Sequence, residues 1–270
     1  MSTRPPIEER FAAPAVMGVI NVTPDSFSDG GVHLRVEAAV AAAWGMLECG
    51  AAIVDVGGES TRPGSEGVSA AEELRRVEPV LADLHGAPVS IDTSKAAVAR
   101  CALELGVELV NDITALRGDP ELAGVVADAG CYLCLMHMQG EPRTMQVSPT
   151  YDDVVSDVKR FLEERLAFAV RAGVREDLVC LDPGIGFGKT VEQNFELVRR
   201  LGELRELGRP ALVGFSRKSS LAAVAGTARG STAASVGAAV SAYEHGASIL
   251  RVHDVREHVE ALAVARAVRG

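Results

Sequence analysis

The feature that most constrains this chain is a regular alternation of short apolar runs with longer stretches of helical periodicity. The runs have the length of strands and are rich in Val, Ile and Leu, as expected for strands buried on both faces of a parallel sheet. They occupy residues 15–20, 51–56, 88–92, 107–112, 131–136, 177–182, 210–215 and 247–252. A stretch with the period of an amphipathic helix follows each run, as in residues 36–50. The sequence therefore predicts eight consecutive strand–helix units.

Eight such units in about 250 residues are typical of a single (β/α)8 TIM barrel. The chain has 270 residues, and no linker rich in Ser, Gly or Pro divides it. We therefore predict an N-terminal tail at residues 1–14 and one barrel domain at residues 15–270, with the active site at the carboxyl ends of the strands. A doubly wound open sheet is the alternative, because spacing alone cannot show whether the sheet closes.

Composition and charge narrow the range of functions. The formal net charge of −10 disfavours a nucleic-acid partner, although a locally basic pocket could still hold a phosphate ester. No apolar stretch approaches the ~20 residues of a membrane span. The opening residues MSTRPPIEER lack the apolar region of a signal peptide. We therefore expect a cytoplasmic protein that acts on small molecules, with no nucleic-acid or membrane partner.

Two patterns that could suggest other chemistry have simpler explanations. Cys131 and Cys134 have the spacing of a zinc knuckle, but they lie in a predicted strand, where they point to opposite faces and serve core packing. The carboxylate pair Glu72 and Glu73 lies in a helical pattern, and we assign both residues to a solvated face.

Polar or charged residues end or follow all eight apolar runs, at the rim where a barrel of this kind carries its active site. They are Asn21, residues 57–63, Asp92, Asn111 with Asp112, His137, Asp182, residues 216–218, and Arg251 with His253. One such residue would mean little, since every strand must end in something hydrophilic. Eight sets that converge on one rim are harder to explain by helix capping alone.

Three of these residues suggest a pocket for a nitrogen heterocycle. Asp92, Asn111 and Asp182 supply fixed acceptors and an amide that can both donate and accept. A group wrongly paired in such a pocket would cost ~1–3 kcal/mol, so the set would be selective. Capping of the following helix explains any one of them equally well, and Asp92 above all.

Positive charge at the same rim suggests a ligand with an anionic tail. The alternation Arg251-x-His253 places both side chains on one side of the last strand, where they could clamp an anion, and Lys218 adds a further cation. The helices after the last two strands offer N-termini that favour phosphate. Solvated surface charges are the alternative.

The glycine-rich stretch DPGIGFGKT at residues 182–190 is not a nucleotide loop. Pro183 stands where a Walker motif needs glycine, and Lys189 stands where a dinucleotide fingerprint needs its third glycine. The glycines could instead let the backbone pass close to a flat ligand, with Phe187 stacking on it, or simply form a turn. Residues 21–31, NVTPDSFSDGG, form either an ordinary turn or a loop that closes over a ligand.

Taken in order, eight motifs at the strand ends resemble the dihydropteroate synthase family from about residue 15 to the end of the chain. They are NVTPDSFSDGG, DVGGESTRPG, SIDTSK, VNDITA, LMHMQG, LDPGIGFGKT, GFSRKS and RVHDV. The resemblance implies a transferase of folate biosynthesis that joins 4-aminobenzoate to (7,8-dihydropterin-6-yl)methyl diphosphate. Its products would be 7,8-dihydropteroate and diphosphate. The family is generally dimeric, so we expect a homodimer.

The resemblance also assigns roles to residues. The pterin would be held by Asp92, Asn111, Asp182 and Lys218. Asn21 would ligate a Mg²⁺ ion on the diphosphate, which Arg251 and His253 would also grip. The aminobenzoate would be bordered by Phe187, Lys218 and Ser219. Two mobile loops would contain Asp25, Ser26, Phe27 and Asp29 in the first and Thr61, Arg62 and Pro63 in the second. Catalytic roles would fall to Asp25, Phe27, Asp29, Arg62 and Lys218.

In that reaction the leaving diphosphate departs from a methylene group conjugated to an electron-rich ring. The carbon can develop cationic character before the arylamine arrives, so no strong base is needed. Metal and cations would stabilise the departing charge, and loop closure would exclude water. Residues 21–31 would then be a lid anchored by a metal ligand. One departure from the family pattern is Ser220, where an aromatic residue is more usual.

Two rival functions share the same pocket. A pterin-using methyltransferase would keep Asp92, Asn111 and Asp182, but the run at residues 216–218 and the loop at residues 61–63 favour the synthase. A pterin-binding protein without turnover is the second rival.

Overall fold

A computed structural model of the protein describes residues 4–23, 32–61, 65, 67–140, 145–146, 149–227 and 231–270. Its eight strands are β1 Ala15–Asn21, β2 Ile53–Gly57, β3 Val89–Asp92, β4 Leu109–Asp112, β5 Tyr132–Met136, β6 Val179–Asp182, β7 Ala211–Val213 and β8 Ala247–Val252. Each strand is parallel to the next, and β8 pairs with β1 to close the barrel. The (β/α)8 prediction is confirmed, and the open sheet is excluded.

Helices follow the strands as the sequence pattern predicts. Within the described residues they are α1 Ile7–Arg10, α2 Val32–Glu48, α3 Ala70–Asp83, α4 Ala96–Glu104, α5 Leu122–Ala129, α6 Val154–Arg171, α7 Val191–Arg199, α8 Leu201–Leu204, α9 Ser219–Ala225, α10 Thr232–Glu244 and α11 Val255–Arg269. The helical stretch after β6, over residues 191–207, is divided into α7, α8 and a short 3₁₀ turn. In the described part of the chain, no helix is both long enough and apolar enough to cross a bilayer.

Most buried apolar side chains belong to one of two separate core regions. The larger core lies between the strands and the surrounding helices. A smaller core lies inside the barrel and includes Met17, Ile53, Leu109 and Ile249. Cys134 and Cys180 belong to this inner core, and Cys131 is also buried, which confirms the packing role expected of Cys131 and Cys134.

The amino-terminal mouth of the barrel is closed by the segment that the sequence indicates only as a tail. Ile7 and Phe11 are buried in the inner core, and the ring of Phe11 meets that of Tyr132 edge to face. The Tyr132 hydroxyl donates to the carbonyl of Pro5 at 3.0 Å, and Arg10 forms an ion pair with Glu108. This end of the barrel is therefore filled by protein, and the carboxyl end is left for a ligand.

Candidate active site at the carboxyl ends of the strands

The alternation of side chains along each strand determines which polar residues face the barrel axis. On five strands, an apolar side chain points into the inner core: Met17, Ile53, Leu109, Cys180 and Ile249. Residues two and four positions further along the same strands therefore face the same side. This rule places inside the carboxyl end Asn21, Asp55, Asn111, Asp182, Arg251 and His253.

A hydrogen-bonded network joins four of the strands at this end. The Arg251 guanidinium donates through Nε to Asp55 Oδ2 at 2.7 Å and through Nη2 to Asp92 Oδ2 at 2.8 Å. The Asn111 amide donates through Nδ2 to the same Asp55 Oδ2 at 3.0 Å. Asp92, Asn111 and Arg251, which the sequence marks separately, therefore meet, and neither Asp92 nor Asn111 serves as a helix cap.

Asp55 is the residue of this network that sequence reasoning missed. It lies in the apolar run AAIVDV, which the pattern predicts to be a buried strand. The side chain is fully buried, and its Oδ1 atom has no hydrogen-bond partner among the described residues. An acidic residue in a strand buried on both faces was the available signal, because such a charge needs partners.

The carboxylates of the pocket hold their protons more tightly than usual. Burial raises the pKa of Asp92 to about 7, although the positive charge of Arg251 opposes the shift. Burial likewise raises the pKa of Asp182 to about 6, opposed by the backbone N–H of Gly184, which donates to Asp182 Oδ1 at 2.7 Å. For Arg251, burial acts to lower the pKa, but Asp55 and Asp92 outweigh it, so the guanidinium stays charged.

An apolar wall stands beside these polar groups. Ile113, Met136, Met138, Met145 and Phe187 form a separate buried cluster. Met136 is the register partner of Asp182 across β5 and β6, so the wall adjoins the acceptors. An apolar face next to a row of acceptors suits a flat heteroaromatic ring.

Lys218 and Phe187 come together as predicted for two residues of one site. The Lys218 ammonium lies 4.3 Å from the centroid of the Phe187 ring, a favourable cation–π distance. Its charge also acts to lower the pKa of Asp182, so Lys218 lies near the acceptors as well as the ring. Ser219 begins α9, directly after Lys218.

The glycine-rich loop after β6 is held by Lys189, which faces inward. Its ammonium donates to the carbonyls of Gly184 and Phe187, both at 2.9 Å, and lies 2.9 Å from His137 Nδ1. Burial lowers the pKa of Lys189 to about 7 and that of His137 to about 2, so the imidazole is neutral and accepts. Lys189 thus secures the loop.

Glycine is required at the start of that loop. Gly184 has a φ of +70°, and a Cβ atom there would lie 1.8 Å from the carbonyl oxygen of His137. The loop is further fixed by Asn194, whose Oδ1 accepts from the Gly186 N–H at 2.7 Å. Asn194 Nδ2 donates to the hydroxyl of Ser220 at 2.9 Å. The unusual serine at position 220 therefore takes part in holding the loop.

His253 lies at the rim with one ring nitrogen engaged. Its Nδ1 is 3.1 Å from the hydroxyl of Ser216. Burial, followed by the charge of Arg251, lowers the pKa of His253 to about 4, so the ring is neutral near pH 7. Arg217 lies between Ser216 and Lys218. Its side chain turns outward, forms an ion pair with Asp254 and is not part of the pocket.

The ion pair at the base of the second loop corrects one prediction. Lys95 binds Glu59, in the loop after β2, and also Glu73 of α3. Glu73 is fully buried, so its assignment to a solvated face was wrong, whereas the neighbouring Glu72 pairs with arginines at the surface. Glu73 lies four residues before Val77 and seven before Val80, so the helical period places it on the buried face of α3, but the period does not reveal its partner, a lysine 22 residues away.

Several predicted site residues lie outside the described part of the chain. They are Asp25, Ser26, Phe27, Asp29, Arg62 and Pro63. Thr61 is described and stands at the edge of the second loop, and Asn21 ends β1 at the rim. The predicted roles of all these residues stay predictions.

The donor set fits a magnesium ion that is bound mainly through its substrate. Among the described residues, no group of three or more His, Cys, Asp or Glu side chains could hold a metal ion. Asn21 is partly exposed, faces the barrel axis, and makes no hydrogen bond to another described side chain. One amide oxygen with phosphate oxygens and water suits Mg²⁺, which seldom uses a cage made only of protein ligands.

Known proteins resemble this chain along nearly its whole length. The family model described as "Pterin binding enzyme" matches residues 17–253. The dihydropteroate synthase of Escherichia coli strain K12 is 46% identical over 258 residues, which cover 94% of this chain and 91% of that protein.

Solved structures agree with this resemblance. The Xanthomonas albilineans dihydropteroate synthase with 4-aminobenzoic acid superposes with a TM-score of 0.90 at 46% identity, covering 96% of this chain and 94% of that one. The same enzyme in complex with 7,8-dihydropteroate gives a TM-score of 0.86 at 44% identity, with coverages of 96% and 95%.

Proposed function

This chain belongs to the pterin binding enzyme family, and within it to the dihydropteroate synthases, and we propose that it holds its pterin substrate against Asp92, Asn111 and Asp182. It is a transferase of folate biosynthesis that condenses (7,8-dihydropterin-6-yl)methyl diphosphate with 4-aminobenzoate. The products are 7,8-dihydropteroate and diphosphate. The observation that carries the proposed site is the network in which Arg251 bridges Asp92 and Asp55 while Asn111 donates to Asp55.

The pterin ring would lie between the acceptors and the apolar wall. Asp92, Asn111 and Asp182 end three different strands and offer oxygens to the N–H groups along one edge of the ring. Phe187 and Met136 would cover a face of the ring. Because these groups are held by strand ends, they are in position before the substrate arrives.

The diphosphate would accept hydrogen bonds from Arg251 and His253, through nitrogen atoms that bind no other described residue. Arg251 uses Nε and Nη2 for Asp55 and Asp92, and its Nη1 bonds to no other described residue. His253 engages Ser216 through Nδ1, so Nε2 can donate a hydrogen bond to an anion even though the ring is neutral. The guanidinium would thus keep its carboxylate partners and still stabilise the charge of the leaving group.

The remaining groups complete the proposal. Asn21 would hold Mg²⁺ on the diphosphate, and the bound ion would neutralise part of the leaving-group charge. Lys218 and Phe187 would border the aminobenzoate, whose amine is already a nucleophile. The loops that contain Asp25, Phe27, Asp29, Thr61, Arg62 and Pro63 would close over both substrates and exclude water.

We further propose that the enzyme is a cytoplasmic homodimer, as the resemblance implies. On α11, Val264 and Val268 are exposed and one helical turn apart, so they present apolar surface on one face. Sedimentation of the purified protein at several concentrations would test the association.

The reaction is tested by incubating purified protein with both substrates and Mg²⁺. Diphosphate and 7,8-dihydropteroate should form in equal amounts, and chelation of the metal should slow their formation. Pterin binding without either product would instead support a binding protein that has lost turnover. Alanine at Asp92, Asn111 or Asp182 should weaken pterin binding if the site is assigned correctly, with Asp83, an exposed residue at the end of α3, as the control position.

A further inference from the structure

We infer that Asp55 is a positioning residue of the pterin site, which orients the amide of Asn111 and holds the guanidinium of Arg251. The inference rests on the pterin site proposed above. Asp55 need not contact the substrate itself, since both of its bonds lead to residues that face the pocket.

Asp55 lies one layer below the residues that line the pocket. In the register of the sheet it stands beside Ser90, whereas Gly57, two residues further along β2, stands beside Asp92. A side chain at position 57 would face the same side of β2 as Asp55. Because position 57 is glycine, the space above the carboxylate stays open. Through that space, Asn111 and Arg251 reach down to one oxygen of Asp55.

The chemistry of a carboxylate decides which way the Asn111 amide points. An ionised carboxylate only accepts hydrogen bonds, so the Asn111 group that faces Asp55 must be the NH₂ donor. The amide oxygen then faces away from Asp55, toward the pocket. Without this partner, the two ends of the amide are nearly equal in shape and could exchange. Asp55 therefore makes position 111 an acceptor, beside the acceptors Asp92 and Asp182.

The same carboxylate keeps the Arg251 guanidinium from pairing with both oxygens of Asp92. Arg251 now divides its donors between Asp55 and Asp92. If Asp55 lost its charge, Asp92 would be the nearest remaining anion, and a guanidinium prefers two parallel bonds to a single carboxylate. That arrangement would cover the Asp92 oxygens that the pterin needs. Loss of Asp55 should therefore weaken pterin binding through two residues at once.

The test exchanges donor and acceptor between positions 55 and 111. The variants are Asp55→Asn, Asn111→Asp and the double exchange, which keeps the total charge of the pair. Ser90→Ala is the matched control, because Ser90 is the buried register partner of Asp55 and has no hydrogen-bond partner among the described residues. Calorimetry with 6-hydroxymethyl-7,8-dihydropterin measures affinity, and thermal unfolding of each variant measures stability separately.

Each single exchange should weaken binding of this pterin by roughly 10- to 100-fold, because it leaves a buried group wrongly paired. The double exchange should regain at least about tenfold over Asn111→Asp, since the introduced amide can donate to the introduced carboxylate, but it should stay below the wild type, because Arg251 Nε then loses its acceptor. Ser90→Ala should stay within about twofold of the wild type.

Other results would overturn the inference. A purely structural role for Asp55 would lower the unfolding temperature and leave pterin affinity unchanged. If Asp55→Asn does not fold, Asn111→Asp still decides, because it keeps an acceptor toward the pterin and replaces the donor toward Asp55 with a second carboxylate. Wild-type affinity in that variant would refute the role of Asp55. Failure of the wild-type protein, with Asn111 intact, to bind the pterin would instead refute the proposed site.

Discussion

Replacement of Lys189 by methionine should destabilise the protein more at alkaline pH than near neutrality. The side chain is almost fully buried, and its ammonium bonds to the carbonyls of Gly184 and Phe187 and to His137. Methionine has a similar length and offers no donor. Three buried acceptors would lose their partner, at ~1–3 kcal/mol each, or of order 5 kcal/mol in total.

An opposing effect makes the result depend on pH. Burial lowers the pKa of Lys189 from 10.5 to about 7, a shift worth of order 5 kcal/mol. Below pH ~7 the amine is protonated in both states, and the native state bears the full cost of the buried charge. Above that pH the native protein releases the proton while the unfolded chain keeps it, so stability rises with pH by up to ~1.4 kcal/mol per unit. Methionine removes this dependence.

The measurement is the free energy of unfolding in urea for wild type and variant. The two opposing effects should nearly cancel at about pH 6.5, and the loss caused by Lys189→Met should grow by about 2 kcal/mol by about pH 8.5. Lys159→Met is the control, because Lys159 lies at the surface of α6 and pairs with Glu206. An equal loss at both pH values would show that Lys189 keeps an ordinary pKa, and would refute the reasoning.

Three further predictions concern the pocket and its loop. Arg251→Ala should weaken binding of the pterin diphosphate roughly 10- to 100-fold more than binding of the free pterin alcohol, because Nη1 is the donor left for the anion. Calorimetry measures both affinities, and equal losses would reject that assignment. Pterin affinity should begin to fall below pH ~7, as Asp92 takes up a proton, and should fall more steeply below pH ~6, as Asp182 does too and each carboxyl loses acceptor capacity. A flat profile from about pH 5 to 8 would contradict this. Gly184→Ala should abolish soluble or active protein, since its Cβ would overlap the His137 carbonyl, whereas Gly202→Ala, with open space at its Cβ, should have the activity and unfolding temperature of the wild type.

The fold and the rim of the pocket could be predicted because both depend on local patterns. Eight apolar runs with helical stretches between them indicate a barrel, and the polar residues that end parallel strands must meet at one edge. Asp92, Asn111 and Arg251 were found in this way, although they are far apart in the sequence. Their roles toward substrate stay predictions.

What the sequence could not reveal depends on partners that are distant along the chain. The sequence around Asp55 does not show its partners, because Arg251 on β8 and Asn111 on β4 reach it only in the folded barrel. Glu73 shares the buried face of α3 with Val77 and Val80, but its partner Lys95 becomes apparent only when α3 packs against α4. Lys189 stands in a glycine-rich pattern that suggests phosphate, and its real contact with His137 spans 52 residues.

Ile7 and Phe11 form a stopper at the amino-terminal mouth, so the two mouths of the barrel have different roles. One mouth keeps solvent out of the inner core, and the other carries the residues that meet substrates. Changes at the stopper should therefore alter the resistance of the enzyme to heat and urea, and changes in the loops at the opposite mouth should alter which ring systems it accepts. Because both side chains are almost fully buried, substitutions at Ile7 or Phe11 should lower the unfolding temperature and leave substrate selectivity unchanged.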